Sequence, residues 1–124
     1  MNEQIRQALR DDLVIDITTV GRKSGEAKRI EIWFHNINDR LYITGMPGPR
    51  SWYANLLANP SFTFHLKQSI EADLPATALA ITDKSEKRSV LAQILDNIKE
   101  NFDGAPPAIE TWVEKSPLIE VIIT

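Results

Sequence analysis

Two stretches in the first half of the chain combine residue types that can do chemistry together. The first is Gly21-Arg22-Lys23-Ser24-Gly25. Its glycines permit positive φ and can turn backbone amides inward, which makes a nest for anionic oxygens. Arg22 and Lys23 add charge-assisted donors, Ser24 adds a hydroxyl, and Lys28 follows three residues after the turn. A solvated polar hairpin has the same composition, so the pentapeptide alone leaves both readings open. The second stretch is Gly45-Met46-Pro47-Gly48-Pro49-Arg50-Ser51-Trp52. Its two prolines lack amide donors and its glycines favour unusual φ, which excludes helix and central strand. Glycine here allows close backbone approach to a flat ring or a phosphate. A helix starting near Ser51 would direct free amides at an anion, with Arg50 beside it. Trp52 can cover a ring, and Asn55 lies one helical turn further on. Asn55 is read as structural, holding the loop that precedes its helix rather than bonding a ring carbonyl. A rigid connection between a strand and a helix is the competing account of this stretch.

A third row, Arg29, Glu31, Trp33 and His35, lies opposite Ile30, Ile32 and Phe34 on the strand they share. Such a row must face solvent, a subunit partner or a ligand, so a homodimer interface and a pocket wall are both open for Trp33. His35 and His65 are read as strand-surface histidines, because nothing at metal-ligand spacing accompanies them. No metal site is expected. There is no G-x-G-x-x-G and no P-loop, which argues against a Rossmann nicotinamide site. No Ser-His-acid arrangement is readable, and without cysteine there is no thiol nucleophile. No residue is assigned a catalytic role.

The elements that must position these groups follow from periodicity. Residues 3–11 read as a short helix with Ile5 and Leu9 on one face. Residues 13–20 alternate as a strand, 28–37 form a second, and Asn38-Asp39 turn into a third over 41–45, giving a hairpin of strands two and three. Ser51 is the expected N-cap of a helix that turns Trp52, Leu56 and Leu57 towards the core and stops at Asn59-Pro60. Residues 62–66 alternate as a fourth strand. Residues 70–81 form a fifth, with Pro75 marking an edge or bulge. Asp83 and Glu86 form a capping box before a core stripe of Val90, Leu91, Ile94, Leu95, Ile98 and Phe102, which Gly104 ends. Pro106-Pro107 open a short helix carrying Ile109, Trp112 and Val113, and 118–123 close the chain as a strand. This order favours a mainly β fold with flanking helices, a six-stranded antiparallel split β-barrel over one domain, residues 1–124, rather than a parallel α/β sheet.

Charge narrows the ligand class. The net charge is −3, which argues against a general nucleic-acid binder. Residues 21–50 nevertheless carry six basic side chains against three acids, a local +3 that leaves −6 elsewhere. A basic patch on an acidic protein suits a small polyanion better than a long one. No apolar run reaches the roughly 18–20 residues of a membrane span, and the first residues lack a secretory pattern, so a cytoplasmic location is expected.

Thr18-Thr19-Val20-Gly21-Arg22-Lys23-Ser24-Gly25, the hairpin after it, and Trp52-Tyr53-Ala54-Asn55-Leu56-Leu57-Ala58-Asn59-Pro60 together resemble the deazaflavin-dependent nitroreductase family. The resemblance spans roughly residues 13–82. It implies a split β-barrel of the flavin-reductase type, binding of coenzyme F-420 (a deazaflavin with a phosphate and an oligoglutamate tail), and hydride transfer to a small-molecule acceptor. In that setting Arg22, Lys23, Ser24, Gly25 and Lys28 would hold the tail. Gly45, Met46, Pro47, Gly48, Arg50, Ser51 and Trp52 would border the cofactor, and Trp33 and Trp112 would line the substrate pocket. The family's Pro-Arg pair after the turn is Ala27-Lys28 here, which keeps the cation but loses the bidentate fork. Its longer glycine-rich loop is the short, proline-rich Gly45–Ser51. Its substrate-side tyrosines are absent from residues 104–112, so a nitroaromatic substrate is not carried over, and the expected acceptor is a quinone-like or other small molecule. FMN or FAD is the alternative cofactor, and a non-enzymatic flavin or haem carrier on the same barrel is the non-catalytic alternative.

Overall fold

The computed structural model describes residues 1–99 and 108–124. The chain opens with α1 (Glu3–Asp11), whose Asn2 cap accepts a hydrogen bond from the Ile5 amide at 2.8 Å. Ala8 and Leu9 point into the core from the same face. Then come β1 (Val14–Val20), β2 (Ala27–Trp33), β3 (His35–Ile37), β4 (Arg40–Thr44) and α2 (Ser51–Ala58). The second half holds β5 (Ser61–Leu66), β6 (Ala72–Ala80), α3 (Lys84–Ile98), α4 (Ile109–Lys115) and β7 (Leu118–Ile123). Among the described residues, seven strands form one antiparallel sheet in the order β2-β1-β5-β6-β7-β4-β3.

The expected mainly β fold with flanking helices is present, but the strand count is seven rather than six. The continuous strand expected over 28–37 divides at Phe34. Phe34 is buried, stacks edge-on against Phe64 at 5.2 Å between centroids, and donates its amide to the Leu13 carbonyl at 3.0 Å. The residues before it pair with β1 and those after it with β4, so β2 and β3 lie at opposite edges of the sheet. The alternation does change phase here, Ile30, Ile32 and Phe34 giving way to Asn36 and Ile37, but so close to the Asn38-Asp39 turn that the change does not say that two strands at opposite edges replace one. The hairpin into β4 is made by β3 alone, over a turn in which Asn38 and Asp39 take φ of 53° and 66°.

The sheet separates two apolar clusters. One gathers Ile15, Ile17, Ile43, Phe62, Phe64 and Leu66 with Leu9 of α1 and with Trp52 and Leu56 of α2. The other packs Val90, Leu91 and Ile94 of α3 and Trp112 and Val113 of α4 on Ile37, Tyr42 and Leu118. Leu57, expected in the core, is 56% exposed, because α2 turns only its Trp52-Asn55-Leu56 face inward. Ser51 is not the N-cap: Arg50 holds that position in extended conformation, and no side chain caps the helix. Asp83 does cap α3, accepting from the Glu86 amide at 2.9 Å. Pro75 precedes the β6 residues that pair with β7, so its missing N–H interrupts no bond of that ladder. Phe102, Gly104, Pro106 and Pro107 lie outside the described residues.

Candidate functional site

The β1–β2 turn is held by its own backbone. The Gly21 amide donates to the Glu26 carbonyl at 2.8 Å and the Gly25 amide to the Gly21 carbonyl at 2.9 Å, with Gly25 at φ 70°. The Glu26 amide reaches Ser24 Oγ at 3.1 Å. The Arg22 amide donates to Asn55 Oδ1 at 3.1 Å, and Asn55 is 5% exposed. These amides are therefore engaged, and the expected nest of inward glycine amides does not form. What the turn presents instead is side-chain charge. Arg22, Lys23 and Lys28 are exposed and line, with Gly21, Ser24, Ser51 and Asn55, a recess of about 320 Å³. Asn55 acts as the strut expected of it, although what it holds is the basic turn rather than the loop that precedes its helix.

The other basic residues of the local excess are committed elsewhere. Arg29 pairs with Asp16 at 2.9 Å, Arg40 with Glu120 at 3.1 Å, and Arg50 donates to the Met46 and Pro49 carbonyls at 2.8 and 2.9 Å. Arg50 thus staples its own loop. Arg22, Lys23 and Lys28 have no acidic partner among the described residues. A cluster of unpaired cations at the start of α2, whose first amides no side chain caps, is suited to an anion.

At the other end of the Gly45–Ser51 loop lies a mostly apolar cavity of about 300 Å³, lined by Trp33, His35, Thr44, Gly45, Met46, Ile98 and Trp112. Trp33 is 37% exposed and Trp112 only 2%. The wall therefore runs from a surface indole to a core one. Thr44 Oγ1 donates to the Pro117 carbonyl at 2.6 Å. Gly48, at φ 130°, donates its amide to the Lys115 carbonyl at 3.0 Å and ties the loop to the end of α4. Trp33, Trp112, Gly45 and Met46 are thereby brought together. Trp52 is not among the lining residues of either site; its ring is buried in the first core cluster, edge-on to Tyr53.

Neither histidine is a surface residue. His35 is buried beneath the second core cluster's helices, and burial pushes its pKa down to about 4. His65 sits on the outer face of β5, with Nε2 2.6 Å from Thr18 Oγ1 and Nδ1 2.7 Å from Asp73 Oδ1. That hydrogen bond from His65 lowers the Asp73 carboxyl below its ordinary range. The sequence shows no such relay, since its members come from three strands. None of the three lines the recess or the cavity. Beside them Lys67 bridges Asp16, at 2.7 Å, and Glu31, and with Arg29 it holds the Asp16 carboxyl low. The row expected from β2 is therefore split: Arg29 and Glu31 belong to this ionic network, while Trp33 and His35 face the cavity. Among the described residues no three His, Asp or Glu side chains cluster as metal ligands, and no helix is long and apolar enough to cross a membrane.

No curated protein matches the sequence. Solved structures share the fold at low identity. A protein named F420 Reductase superposes with a TM-score of 0.74 and 19% identity, over 100% of this chain and 96% of its own. A FAD-binding protein from Mesorhizobium loti gives 0.70 and 13%, over 100% and 91%. HutZ, a haem storage protein from Vibrio cholerae, gives 0.66 and 15%, over 98% and 88%. At these identities the likeness shows the split-barrel fold. Residues 2–104, most of the chain, match the family described as F420H(2)-dependent quinone reductase, and this chain belongs to that family of cofactor-dependent oxidoreductases.

Proposed function

We propose that this chain binds coenzyme F-420 and reduces a quinone-like or other small acceptor in the cytoplasm. The observation that carries the reading is the recess in which Arg22, Lys23 and Lys28 converge, without acidic partners, on the uncapped start of α2. That donor set fits a phosphate and an oligoglutamate tail, since it offers several cations to several anionic oxygens. When bound, the reduced deazaflavin supplies the hydride. The chain's own task is to bind, orient and exclude water. Arg22, Lys23 and Lys28 fix the tail, Gly45 and Met46 border the ring, and Trp33 and Trp112 give the acceptor apolar walls. Hydride transfer asks for no protein nucleophile, in keeping with a site that assigns none.

FMN and FAD carry phosphates that the same cations would accept, and the FAD-binding neighbour makes them the controls to run. The test is to titrate the purified protein with F-420, FMN, FAD and haem, following fluorescence quenching or absorbance. F-420 should bind tightest. Arg22→Ala with Lys23→Ala should weaken it about 10- to 100-fold and flatten its salt dependence. F-420 binding no tighter than that of FMN would overturn the cofactor assignment. Tight binding without reoxidation of the reduced cofactor by quinones would make the protein a carrier rather than a reductase.

A further inference from the structure

His35 is 7% exposed, and among the described residues neither of its ring nitrogens has a hydrogen-bond partner. Neither nitrogen is among the buried polar atoms sealed from open space, and the residue lines the Trp33–Trp112 cavity. Because its nitrogens open on the cavity rather than being sealed or bonded within the protein, the imidazole is available to hydrogen-bond whatever enters that cavity. Its low pKa, caused by burial, keeps it neutral near pH 7. A neutral imidazole offers one N–H donor and one acceptor nitrogen, which suits an uncharged polar atom rather than an anion. The remaining walls are largely apolar, with aromatic faces at Trp33 and Trp112. A flat ring bearing a carbonyl satisfies both conditions at once.

We propose that His35 is a specificity-determining residue whose ring N–H hydrogen-bonds a carbonyl oxygen of a planar acceptor held against Trp33 and Trp112. The inference rests on the reading above only in taking this cavity as the acceptor's place. It gives the site a reason to prefer quinone-type compounds over hydrocarbons of the same shape. A site built to hydrogen-bond an oxygen leaves its own buried group unpaired when the oxygen is missing.

The test is calorimetric titration of the protein without cofactor, using 1,4-naphthoquinone and naphthalene as a matched pair. The chain has no cysteine, so no thiol consumes the quinone. Wild type should bind the quinone about tenfold tighter than naphthalene, the worth of one hydrogen bond. His35→Phe should remove that preference by weakening the quinone more than naphthalene, while His35→Gln, which keeps an N–H donor, should restore part of it. In wild type the quinone should also shift the His35 ring ¹⁵N resonance and naphthalene should not, a readout that needs no variant to fold. Equal affinity for the two ligands, an unmoved resonance, or a parallel loss of both ligands in His35→Phe overturns the proposal. F-420 titrated into the same proteins separates the two hypotheses. Quinone preference without F-420 binding removes the cofactor assignment and leaves His35 standing, whereas F-420 binding without quinone preference does the reverse.

Discussion

In the basic recess the groups offered to a ligand sit on an exposed turn, carry full charge and touch solvent. In the tryptophan cavity they are neutral, and Trp112 and His35 belong to the packed interior. One loop, Gly45–Ser51, runs from the cavity, which Gly45 and Met46 line, to the recess, which Ser51 lines. The recess can change its cations with little consequence for folding, because exposed cations contribute little to stability. The cavity cannot, since its walls also support the fold. Affinity and stability are therefore separable in one site and entangled in the other.

Stability measurements by urea denaturation can break that contrast. Trp112→Ala should cost about 3–5 kcal/mol, as a large side chain removed from a core leaves a void. A cost below 1 kcal/mol would detach the cavity wall from the core. His35 should make stability pH-dependent. Above about pH 6.5 the ring is neutral folded or unfolded and contributes no difference. As pH falls from there, the unfolded chain takes up a proton that the folded one refuses. The loss should be complete near pH 4 and amount to about 3 kcal/mol. His35→Gln should lack that component, and an identical pH profile in the variant would refute it. Asn55→Ala leaves the Arg22 amide without its acceptor and should cost about 1–3 kcal/mol while weakening anion binding. Arg22→Ala with Lys23→Ala should change stability by less than about 0.5 kcal/mol. A larger loss would show that the turn's cations hold structure rather than await a ligand.

The basic turn, the hairpins, the helix after Ser51 and the Asp83 cap were legible because each depends on residues close in sequence. That Arg22, Lys23 and Lys28 gather, exposed, around one recess followed too, since charge is visible in composition. The cavity was legible only in part. Trp33, Trp112, Gly45 and Met46, which the sequence singles out, do meet at this cavity, but alternation alone places His35 at the surface, whereas the face it shares with Trp33 is covered by helices some fifty residues or more downstream. The Trp33-x-His35 spacing puts both on one face, and that was the available signal. Leu57 differs for the opposite reason: its apolar side chain marks it as core, although α2 buries only a narrow face. The break at Phe34 is a tertiary event, set by Phe64 and the Leu13 carbonyl, and its local sign is no more than the phase change from Ile30, Ile32 and Phe34 to Ile37.

That break also bears on how the molecule behaves at high concentration. An open sheet has two edges, and unpaired strand edges recruit other chains into aggregates. Here the bend at Phe34 cuts what would be one long strand into two edge strands. β3 is only three residues long, which offers little length for pairing. β2 is longer but carries Lys28, Arg29 and Glu31 on exposed positions, and charges on an edge discourage an incoming strand. Each edge of the sheet thus has its own defence against self-association.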